Sequence, residues 1–536
     1  MPDCLTPGVF VEEIRFRARS IEDVSTSTFG MAGLASYGPT PYVLTPPNTT
    51  RPVVMRPSPT LVTSLAEFER LFGGPGEVGN AGLDDRTNYL AHAARGFFDN
   101  GGRRLVVARV FPFELDADAI APGNFASLTV GNPPVGTFRA RWPGASGNEF
   151  AISVEPVAHL TVTVTVRWGD RVDTYTDLAL DRTHPRWLAQ VLRAEDPDDA
   201  SSLVWFDSGD ATPADLLAAF LALNGETFLG GAGEGRPLTA ADIAGRVADP
   251  DDGTHTPTGL AALAGVDDIA IVATPDAVRL DASDQVTAST HLIAHCERPG
   301  AYRFGIVDLP KNSSIAEVRA FRAHFDTSHA ALYYPWVDVA APTATDPGAV
   351  LQLPPSGFVA GVYARTDIER GVHRAPANEV IRGITGLHER VADQSALNPE
   401  GINVLRFFEG RGDLVWGART MSSDAEWRYV NVRRLIIHVE HSIDRSTQWA
   451  VFEPNDEALW TAVQRTVEDF LMTIWRNGAL LGSKPEEAFF VRCDRTTMTQ
   501  DDLDSGRVIC LVGVAPARPS EFVIFRISQL TADVTT

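Results

Sequence analysis

The spacing of apolar and polar residues divides the chain into helical and extended segments. Across Tyr89–Asp99 apolar residues recur every three or four positions, which places Leu90, Ala93 and Phe97 on one face of a helix. Residues 161–166 instead alternate strictly between threonine and valine, which is typical of a half-buried strand. The sequence therefore predicts amphipathic helices together with strands, and neither an all-helical nor an all-β chain.

Predicted strands and helices alternate in two parts of the chain, residues 26–112 and 263–397. The apolar runs that predict buried strands are residues 29–36, 104–110, 268–273, 302–307 and 331–339. The helical patterns are residues 63–72, 89–99, 285–296 and 314–325, with a further helix from residue 358. Alternation of this kind favours a mostly parallel sheet covered by helices.

Residues 113–262 have a different character, because proline, glycine, aspartate and short alternating runs dominate there. This composition predicts a β-rich domain inserted into the α/β unit. The fold class predicted for the whole chain is therefore a multidomain α+β or α/β protein, with a β-rich insertion and extended strands at both ends.

The last third begins with an apparent basic strand at residues 427–437, which carries Arg428, Arg433 and Arg434. A long amphipathic helix is predicted over residues 455–477, with Asn455 or Asp456 able to cap its first turn. The polar face of this helix is mixed in charge and consists of Gln464, Arg465, Glu468, Asp469 and Arg476.

Two strand-like runs lie near the ends of the chain with little around them to form a core. The first contains Val9, Phe10, Val11 and Ile14, and the second contains Phe522, Val523, Ile524, Phe525 and Ile527. An apolar strand in such a place must pair with something. It can be an edge strand of its own sheet or a strand added to a neighbouring copy, and the residues alone leave both possibilities open.

Composition excludes several functional classes. A net charge of −23 argues against a general nucleic-acid-binding protein, which needs a basic surface. No apolar run approaches the roughly 18 residues that a transmembrane helix requires, and the first residues do not resemble a signal peptide. The four cysteines are scattered without a CxxC pair, which favours a reducing compartment such as the cytoplasm.

The candidate chemical motifs are weak. His291 and His295 have the i, i+4 spacing of a zinc helix but lack the intervening glutamate of HEXXH. The glycine-rich residues 230–235 have no lysine followed by serine or threonine, so we expect a loop and no phosphate site. Residues 411–413, an RGD tripeptide, fit a hairpin turn, and residues 441–444 show only sequence proximity of histidine, serine and aspartate. We therefore expect no catalytic residue, cofactor site or metal site.

Several motifs occur in one order over more than a hundred residues: NPEGIN at 398–403, WGART at 416–420, WRYVNVRR at 427–434, QWAVFEPN at 448–455, FFVRCD at 489–494 and GVAP at 513–516. With the 522–527 run, they closely resemble the C-terminal domain of contractile tail sheath proteins, which occur in phage tails, tailocins and phage-like extracellular contractile injection systems. The PGVFVEE segment at 7–13 resembles the opening of such proteins, with Phe10 where a tyrosine is usual.

The resemblance implies six regions: an N-terminal arm (1–25), a sheath α/β domain in two parts (26–112 and 263–397), an outer inserted domain (113–262), a C-terminal sheath domain (398–518) and a C-terminal arm (519–536). It implies that both arms add strands to neighbouring subunits, that the 455–477 helix faces an inner tube, and that Arg428, Arg433 and Arg434 lie near the inner surface.

The function implied by the resemblance is that of a structural subunit which polymerises helically around a tube and contracts to drive it through a target envelope. Its expected partners are further copies, the inner tube protein, and baseplate and terminator or cap proteins, without nucleic acid or membrane insertion. Assembly is expected in the cytoplasm, as part of a phage tail-like particle that can be released. An injection system is favoured; a phage or tailocin sheath is the alternative, and an α/β hydrolase or metalloenzyme is the alternative of another class.

Overall fold

A computed structural model describes most of the chain and divides it into two compact units. The described residues are 21–45, 53–78, 85–116, 119–157, 160–193, 202–223, 225–249, 251–252, 256–341, 349–391, 394–522 and 524. The smaller unit comprises residues 1–24 and 438–517, and the larger comprises residues 25–437 and 518–536.

The larger unit begins with an α/β segment. Its strands are β1 (Phe29–Leu34), β2 (Tyr42–Leu44), β3 (Val53–Met55), β4 (Thr60–Val62) and β5 (Leu105–Val110), and its helices are α1 (Leu65–Phe72) and α2 (Tyr89–Asp99). The predicted helix over Tyr89–Asp99 is confirmed with the same bounds. Ser64 caps α1 by accepting a hydrogen bond from the Glu67 amide, so a helix predicted from its start signal forms there.

The following segment is mainly strands. Its elements are β6 (Leu115–Asp116), β7 (Ala119–Ile120), β8 (Ser127–Val130), β9 (Gly136–Ala140), β10 (Ala151–Pro156), β11 (Thr161–Trp168), β12 (Arg171–Ala179), α3 (Leu188–Val191), β13 (Val204–Asp207), α4 (Pro213–Leu221) and β14 (Thr227–Phe228). They form a three-stranded sheet, β13-β9-β8, and a four-stranded sheet, β12-β11-β10-β14. In β11 the valines are buried and the threonines are half-buried, as the alternating pattern predicts.

The α/β pattern then resumes. Its helices are α5 (Ala240–Ala244), α6 (Gly259–Leu263), α7 (Ala282–Glu297), α8 (Ile315–Arg322) and α9 (Ser356–Arg370). Its strands are β15 (Ile271–Ala273), β16 (Phe304–Val307), β17 (Ala330–Tyr334), β18 (Val337–Ala340), β19 (Val350–Leu353), β20 (Glu379–Val380), β21 (Gly386–Leu387), β22 (Ile402–Phe408) and β23 (Gly412–Val415).

A nine-stranded sheet organises this unit, in the order β20-β23-β22-β17-β16-β15-β1-β5-β4. The six strands from β22 to β5 run parallel to their neighbours. Phe29 and Met31 of β1 belong to the core on one face, with α2 and α9, whereas Ala32 and Leu34 belong to the core on the other face, with α6 and α7. The predicted parallel α/β sheet, covered by helices, is therefore confirmed.

Two glycines bring α2 and α9 into contact. A Cβ atom at Gly357 would lie 2.4 Å from the Ala93 carbonyl oxygen, and one at Gly361 would lie 2.6 Å from the Phe97 carbonyl oxygen. A larger side chain at either position would therefore force the two helices apart.

Two observations move the segment boundaries that the sequence suggested. Ile243 and Leu260 belong to the core on one face of the nine-stranded sheet, so the α/β core already includes residues assigned above to the insertion. Strands β22 and β23, assigned above to the C-terminal domain, are hydrogen-bonded into the same sheet. Both differences arise because the sequence of a short helix or hairpin does not show which sheet it packs against or pairs with.

One long helix, α10 (Val430–Thr447), contains the residue at which the two units divide. The other elements of the smaller unit are α11 (Glu457–Arg476), α12 (Pro485–Ala488), β24 (Phe489–Arg492), α13 (Gln500–Asp504) and β25 (Leu511–Val514). In the described part of the chain, no helix has both the length and the apolar character needed to cross a membrane.

Candidate assembly surfaces

Helix α11 has the amphipathic form that the sequence predicts. Asp456 caps it, because its side chain accepts hydrogen bonds from the amides of Ala458 and Leu459. The buried face consists of Leu459, Trp460, Val463, Thr466, Val467, Phe470, Leu471 and Ile474. Burial of this apolar row holds the helix on the smaller unit and leaves its polar row outside.

The five polar residues predicted to face a tube divide into two groups on α11. Arg465, Asp469 and Arg476 are exposed and lie on one stripe of the helix. Gln464 and Glu468 are half-buried, and the Gln464 side-chain amide donates a 2.8 Å hydrogen bond to the Glu468 carboxylate. The exposed stripe therefore carries two positive charges and one negative charge.

A two-stranded antiparallel sheet, β24 with β25, forms a second surface on the smaller unit. Phe490 is 57% exposed, and Leu511 of the facing strand is 49% exposed. Within the described residues each strand has one strand partner, and the chain just after β25 adds an isolated bridge between Leu480 and Pro516, so each strand keeps an edge without a further strand. Two strands with exposed apolar side chains form an incomplete sheet.

The N-terminal segment is attached to the smaller unit just after residue 20. The Glu22 amide donates a 3.1 Å hydrogen bond to the Ser446 hydroxyl. The Asp23 carboxylate lies 3.4 Å from Nε2 of His438, and this hydrogen bond lowers the pKa of Asp23. The predicted arm residues Val9, Phe10, Val11 and Ile14 lie outside the described residues.

The C-terminal segment is attached to the larger unit through Glu521. Arg419 donates to its carboxylate, with Nε 2.8 Å from one oxygen and a second contact to the other oxygen. The Tyr429 hydroxyl lies 3.3 Å from the same carboxylate. Beyond this anchor, Phe522 and Ile524 are 72% and 79% exposed, whereas Val523, Phe525 and Ile527 lie outside the described residues.

The predicted basic strand at residues 427–437 is wrong, because residues from Val430 onward form helix α10. The alternation that suggested a strand covers only a few residues, and the buried positions continue at helical spacing through Asn431, Leu435, Val439 and Ser442. The three arginines consequently do not form one stripe.

Each of those arginines has a different environment. Arg434 is buried and forms an ion pair with Asp367, in which Nη1 lies 2.9 Å from one carboxylate oxygen. Arg433 donates to Nε2 of His329 at 3.1 Å, and burial together with this cation lowers the pKa of His329 to about 4. Only Arg428, which precedes the helix, is exposed.

The histidine pair on α7 does not form a metal site. His291 is exposed, whereas Nε2 of His295 lies 2.6 Å from a guanidinium nitrogen of Arg303. Burial and this cation lower the pKa of His295 to about 3, so its ring is neutral. No group of three or more histidine, cysteine or acidic residues in the described chain is arranged to hold a metal ion.

The other candidate motifs have structural roles. Residues 230–235 form a loop held by backbone contacts, with the Gly233 amide 2.8 Å from the Gly123 carbonyl oxygen. Within the 411–413 tripeptide, Arg411 ends the turn between β22 and β23, and Gly412 and Asp413 begin β23, so the tripeptide is part of the predicted hairpin. His441, Ser442 and Asp444 lie within one turn of α10, and the buried Ser442 hydroxyl has no hydrogen-bond partner among the described residues, so no base activates it as in a triad.

Sequence analysis did not identify two buried carboxyl groups that follow parallel strands of the large sheet. Asp276 accepts a 2.9 Å hydrogen bond from the Leu34 amide and a 2.7 Å hydrogen bond from Arg279. Asp308 accepts a 3.0 Å hydrogen bond from the Ser356 amide at the start of α9, and burial raises its pKa to about 7. Their contacts join sheet to helix, and an isolated aspartate after a strand gives no sequence signal of such a role.

A polar cleft of about 170 Å³ lies between the α/β segment and the strand-rich segment of the larger unit. Arg86 and Arg109 line it, and Arg109 is buried and donates to three main-chain carbonyl oxygens, those of Ala35, Gly38 and Pro143, at 2.8–3.1 Å. Because its donors point at main-chain oxygens, Arg109 joins the two segments and is not oriented toward a ligand.

The chain was compared with protein-family models, curated proteins and solved structures. The model of the phage tail sheath protein central domain matches residues 241–421, and the model of the phage tail sheath C-terminal domain matches residues 422–529. Together the two matches run without a gap over more than half of the 536 residues.

The chain is 28% identical over 230 residues to a prophage major tail sheath protein of Pseudomonas aeruginosa strain UCBPP-PA14, covering 41% of this chain and 56% of that protein. It is 30% identical over 222 residues to the tail sheath protein of Burkholderia phage BcepMu, covering 37% and 45%. The chain thus spans about half the length of these curated relatives.

A solved structure covers far more of the chain. The helical sheath of the anti-feeding prophage, determined in its contracted state, is 26% identical, with a TM-score of 0.54, and the match covers 98% of this chain and 99% of that one. The motif order, the α/β core and these matches agree, and the chain therefore belongs to the contractile tail sheath family.

Proposed function

We propose that this chain is the structural subunit of a contractile sheath. Copies stack helically around an inner tube, assemble in an extended state and contract once, which drives the tube through a target envelope. The observation that carries the proposal is the match to a contractile sheath subunit over nearly the full length of both chains. Such a match extends well beyond the α/β core.

The sheath is proposed to belong to an injection system. The match to the anti-feeding prophage sheath combines 26% identity with coverage of 98% of the chain, which supports this choice. A phage or tailocin sheath is the second candidate, because the curated relatives are phage and prophage proteins. A DNA-filled head on particles purified from the native host would identify a phage sheath, whereas headless particles would exclude a phage sheath and leave the injection system and the tailocin.

Neighbouring copies are proposed to be linked by strand exchange. Val9, Phe10, Val11 and Ile14 of one copy, and Phe522, Val523, Ile524, Phe525 and Ile527 of another, would add strands to the β24–β25 sheet. Exposed Phe490 and Leu511, together with the unpaired edges of that sheet, support this role. Added strands satisfy the backbone groups and cover apolar surface, so the links persist while subunits move.

The exposed stripe of α11 is proposed to face the inner tube. Arg465, Asp469 and Arg476 point to solvent, while Gln464 and Glu468 are hydrogen-bonded to each other at its margin. A stripe of mixed charge fits a partner with a complementary alternation of charges better than a uniformly acidic surface. Arg428 is exposed and can contribute to an inner surface, whereas Arg434 is buried and cannot.

Contraction is proposed to need no enzymatic step in this chain. The free energy is stored in a metastable extended lattice, and many small rearrangements between subunits add up to a large release. The proposed partners are further copies, the tube protein, and baseplate and terminator or cap proteins. We propose that assembly takes place in the cytoplasm and that the particle can then be released.

The first test is deletion of residues 1–20, followed by negative-stain electron microscopy. The deletion keeps Glu22 and Asp23, whose contacts with Ser446 and His438 attach the segment to the smaller unit. We expect the full chain to form striated hollow tubes, alone or when co-expressed with its tube and baseplate proteins. The shortened chain should stay folded and remain monomeric.

Two outcomes would contradict the proposal. Normal tubes from the shortened chain would refute strand exchange through the N-terminal arm. Absence of tubes from the full chain, even with tube and baseplate proteins present, would refute the sheath function itself.

A further inference from the structure

Two cysteines lie opposite each other at the open end of the β24–β25 sheet. The register pairs Phe489 with Val514 and Arg492 with Leu511. One step further, Cys493 follows β24 and faces Cys510, which precedes β25. Although 17 positions apart in the sequence, they are therefore cross-strand neighbours.

The hydrogen-bond pattern defines the type of position that this pair occupies. The Ala515 amide donates to the Ala488 carbonyl oxygen at 2.8 Å, which makes Phe489 and Val514 a non-hydrogen-bonded pair. The two kinds of pair alternate along an antiparallel ladder, so extending the register one step beyond Arg492 and Leu511 gives Cys493 and Cys510 a non-hydrogen-bonded position.

Such a position has the geometry that a disulfide needs. Its Cα atoms lie about 4.5 Å apart, with both side chains on the same face. This separation falls within the range of about 4.4–6.8 Å between the Cα atoms of disulfide-bonded cysteines. Both cysteines are free in the structure and pack in one small core with Leu459 and Trp460 of α11.

The thiols are also in contact. Donation from the Cys510 thiol to the sulfur of Cys493 stabilises the Cys493 thiolate and lowers the pKa of Cys493, while it raises the pKa of Cys510. Cys493 is buried, whereas Cys510 is half-exposed, so an oxidant reaches the pair through Cys510.

We propose that Cys493 and Cys510 are the site of an intrachain disulfide that forms by exchange with a small disulfide such as oxidised glutathione. The thiolate of one cysteine attacks one glutathione sulfur, forming a mixed disulfide and releasing one glutathione. The other cysteine then attacks the protein sulfur of that mixed disulfide, forming the protein disulfide and releasing the second glutathione. The two cysteines lose two electrons and two protons in total. The two reduced glutathione molecules carry away these electrons and protons.

The bond would clamp β24 to β25 at the end where no further backbone pairing holds them. This modification does not depend on the proposed function, because it concerns a single folded chain. It would add a covalent link when a chain made in a reducing compartment moves to an oxidising one.

Peptide mapping of the purified full chain tests the inference. The protein is equilibrated with oxidised glutathione, its remaining thiols are alkylated in denaturant, and it is digested with trypsin. We expect one disulfide-linked species joining residues 493–495 to residues 508–526, which separates after reduction. Cys296→Ser should leave this species unchanged, because Cys296 belongs to the other unit.

A second measurement distinguishes an intrachain bond from other oxidation. The oxidised chain should migrate as a monomer on a non-reducing gel and unfold at a higher temperature than its reduced form. Cys510→Ser should abolish both the linked species and this rise. The inference is overturned if both cysteines remain alkylatable after oxidation, if Cys510 stops at the glutathione adduct, or if the bond joins two chains.

Discussion

The buried ion pair between Arg434 and Asp367 is the residue-scale feature with the clearest energetic consequence. Both side chains are almost fully removed from solvent, and Arg434 also donates to the Thr26 carbonyl oxygen at 2.8 Å and lies over the Tyr363 ring. Removal of one partner from such a pair leaves the other charge buried without compensation.

We therefore expect Arg434→Met to lower the free energy of unfolding of the larger unit by about 3–5 kcal/mol. Urea unfolding, followed by tryptophan fluorescence, measures the change. Arg370→Met is the matched control, since its pair with Glu379 is half-exposed and is expected to contribute less than about 1 kcal/mol. Equal losses in the free energy of unfolding for the two variants would show that the buried ion pair contributes no more to stability than the half-exposed pair.

The pH dependence of stability depends in part on Asp308. Its pKa is about 7 in the folded chain, against an ordinary value of 3.8, because burial disfavours the carboxylate. Between these values the folded chain holds a proton that the unfolded chain has lost, so this group makes stability fall as pH rises from about 4 to about 7.

Asp308→Asn removes that ionisation. Relative to the unsubstituted chain, we expect the variant to gain stability between about pH 5 and about pH 8, because only the unsubstituted chain acquires a buried charge. Urea midpoints of both proteins at the two pH values measure this difference. Asp170→Asn, at an exposed turn, should show no such gain, and a pH-independent difference at position 308 would contradict the assignment.

At the scale of elements, helix α11 leads to a prediction about assembly. Asp469 is exposed on the stripe proposed to face the tube, and its side chain supports no other part of the fold among the described contacts. Asp469→Lys should leave the fold intact and reduce co-sedimentation of sheath with tube, because it makes the mixed stripe uniformly basic.

The matched control is Asp170→Lys, which makes the same charge change at the turn between β11 and β12 in the strand-rich segment. This segment is proposed to lie on the outside, so co-sedimentation should be unaffected. If both variants lose tube binding, the loss follows net charge rather than the α11 surface. If neither does, α11 does not face the tube.

The elements also show which parts of the sequence were informative. Helices α2 and α11 could be predicted because a long apolar stripe and capping residues agree in each. Helix α10 was mistaken for a strand, since valine and isoleucine favour strands and only the pattern of burial over 18 residues reveals the helical period.

Residue contacts were harder to predict than elements. The Arg434–Asp367 pair joins residues 67 positions apart, and nothing in the local sequence shows that either is buried. For the same reason, the burial of Arg434 could not be predicted from the sequence. In contrast, the pairing of Cys493 with Cys510 follows from the register once β24 and β25 are known.

At the scale of the whole molecule, two anchors mark where the end segments that are proposed to exchange strands begin. Glu22 and Asp23 attach the N-terminal segment, and Glu521 attaches the C-terminal segment through Arg419. Residues beyond these anchors can therefore be removed while the contacts that hold the core remain.

Truncation after Phe522 uses this property, because it keeps the Glu521–Arg419 pair and removes Val523, Ile524, Phe525 and Ile527. A chain without the strand that it is proposed to donate still has the β24–β25 sheet, so the proposal predicts that it accepts strands from intact copies. Mixed with intact chain, it should therefore join growing sheaths and stop their extension. We expect mean sheath length, measured by negative-stain electron microscopy, to fall as the truncated fraction rises.

The control is the full-length chain with Phe525→Ala and Ile527→Ala. This variant keeps the net charge and the backbone hydrogen-bonding groups of the segment, so it should shorten sheaths less. Unchanged length at every ratio would show that the C-terminal segment does not link neighbouring copies.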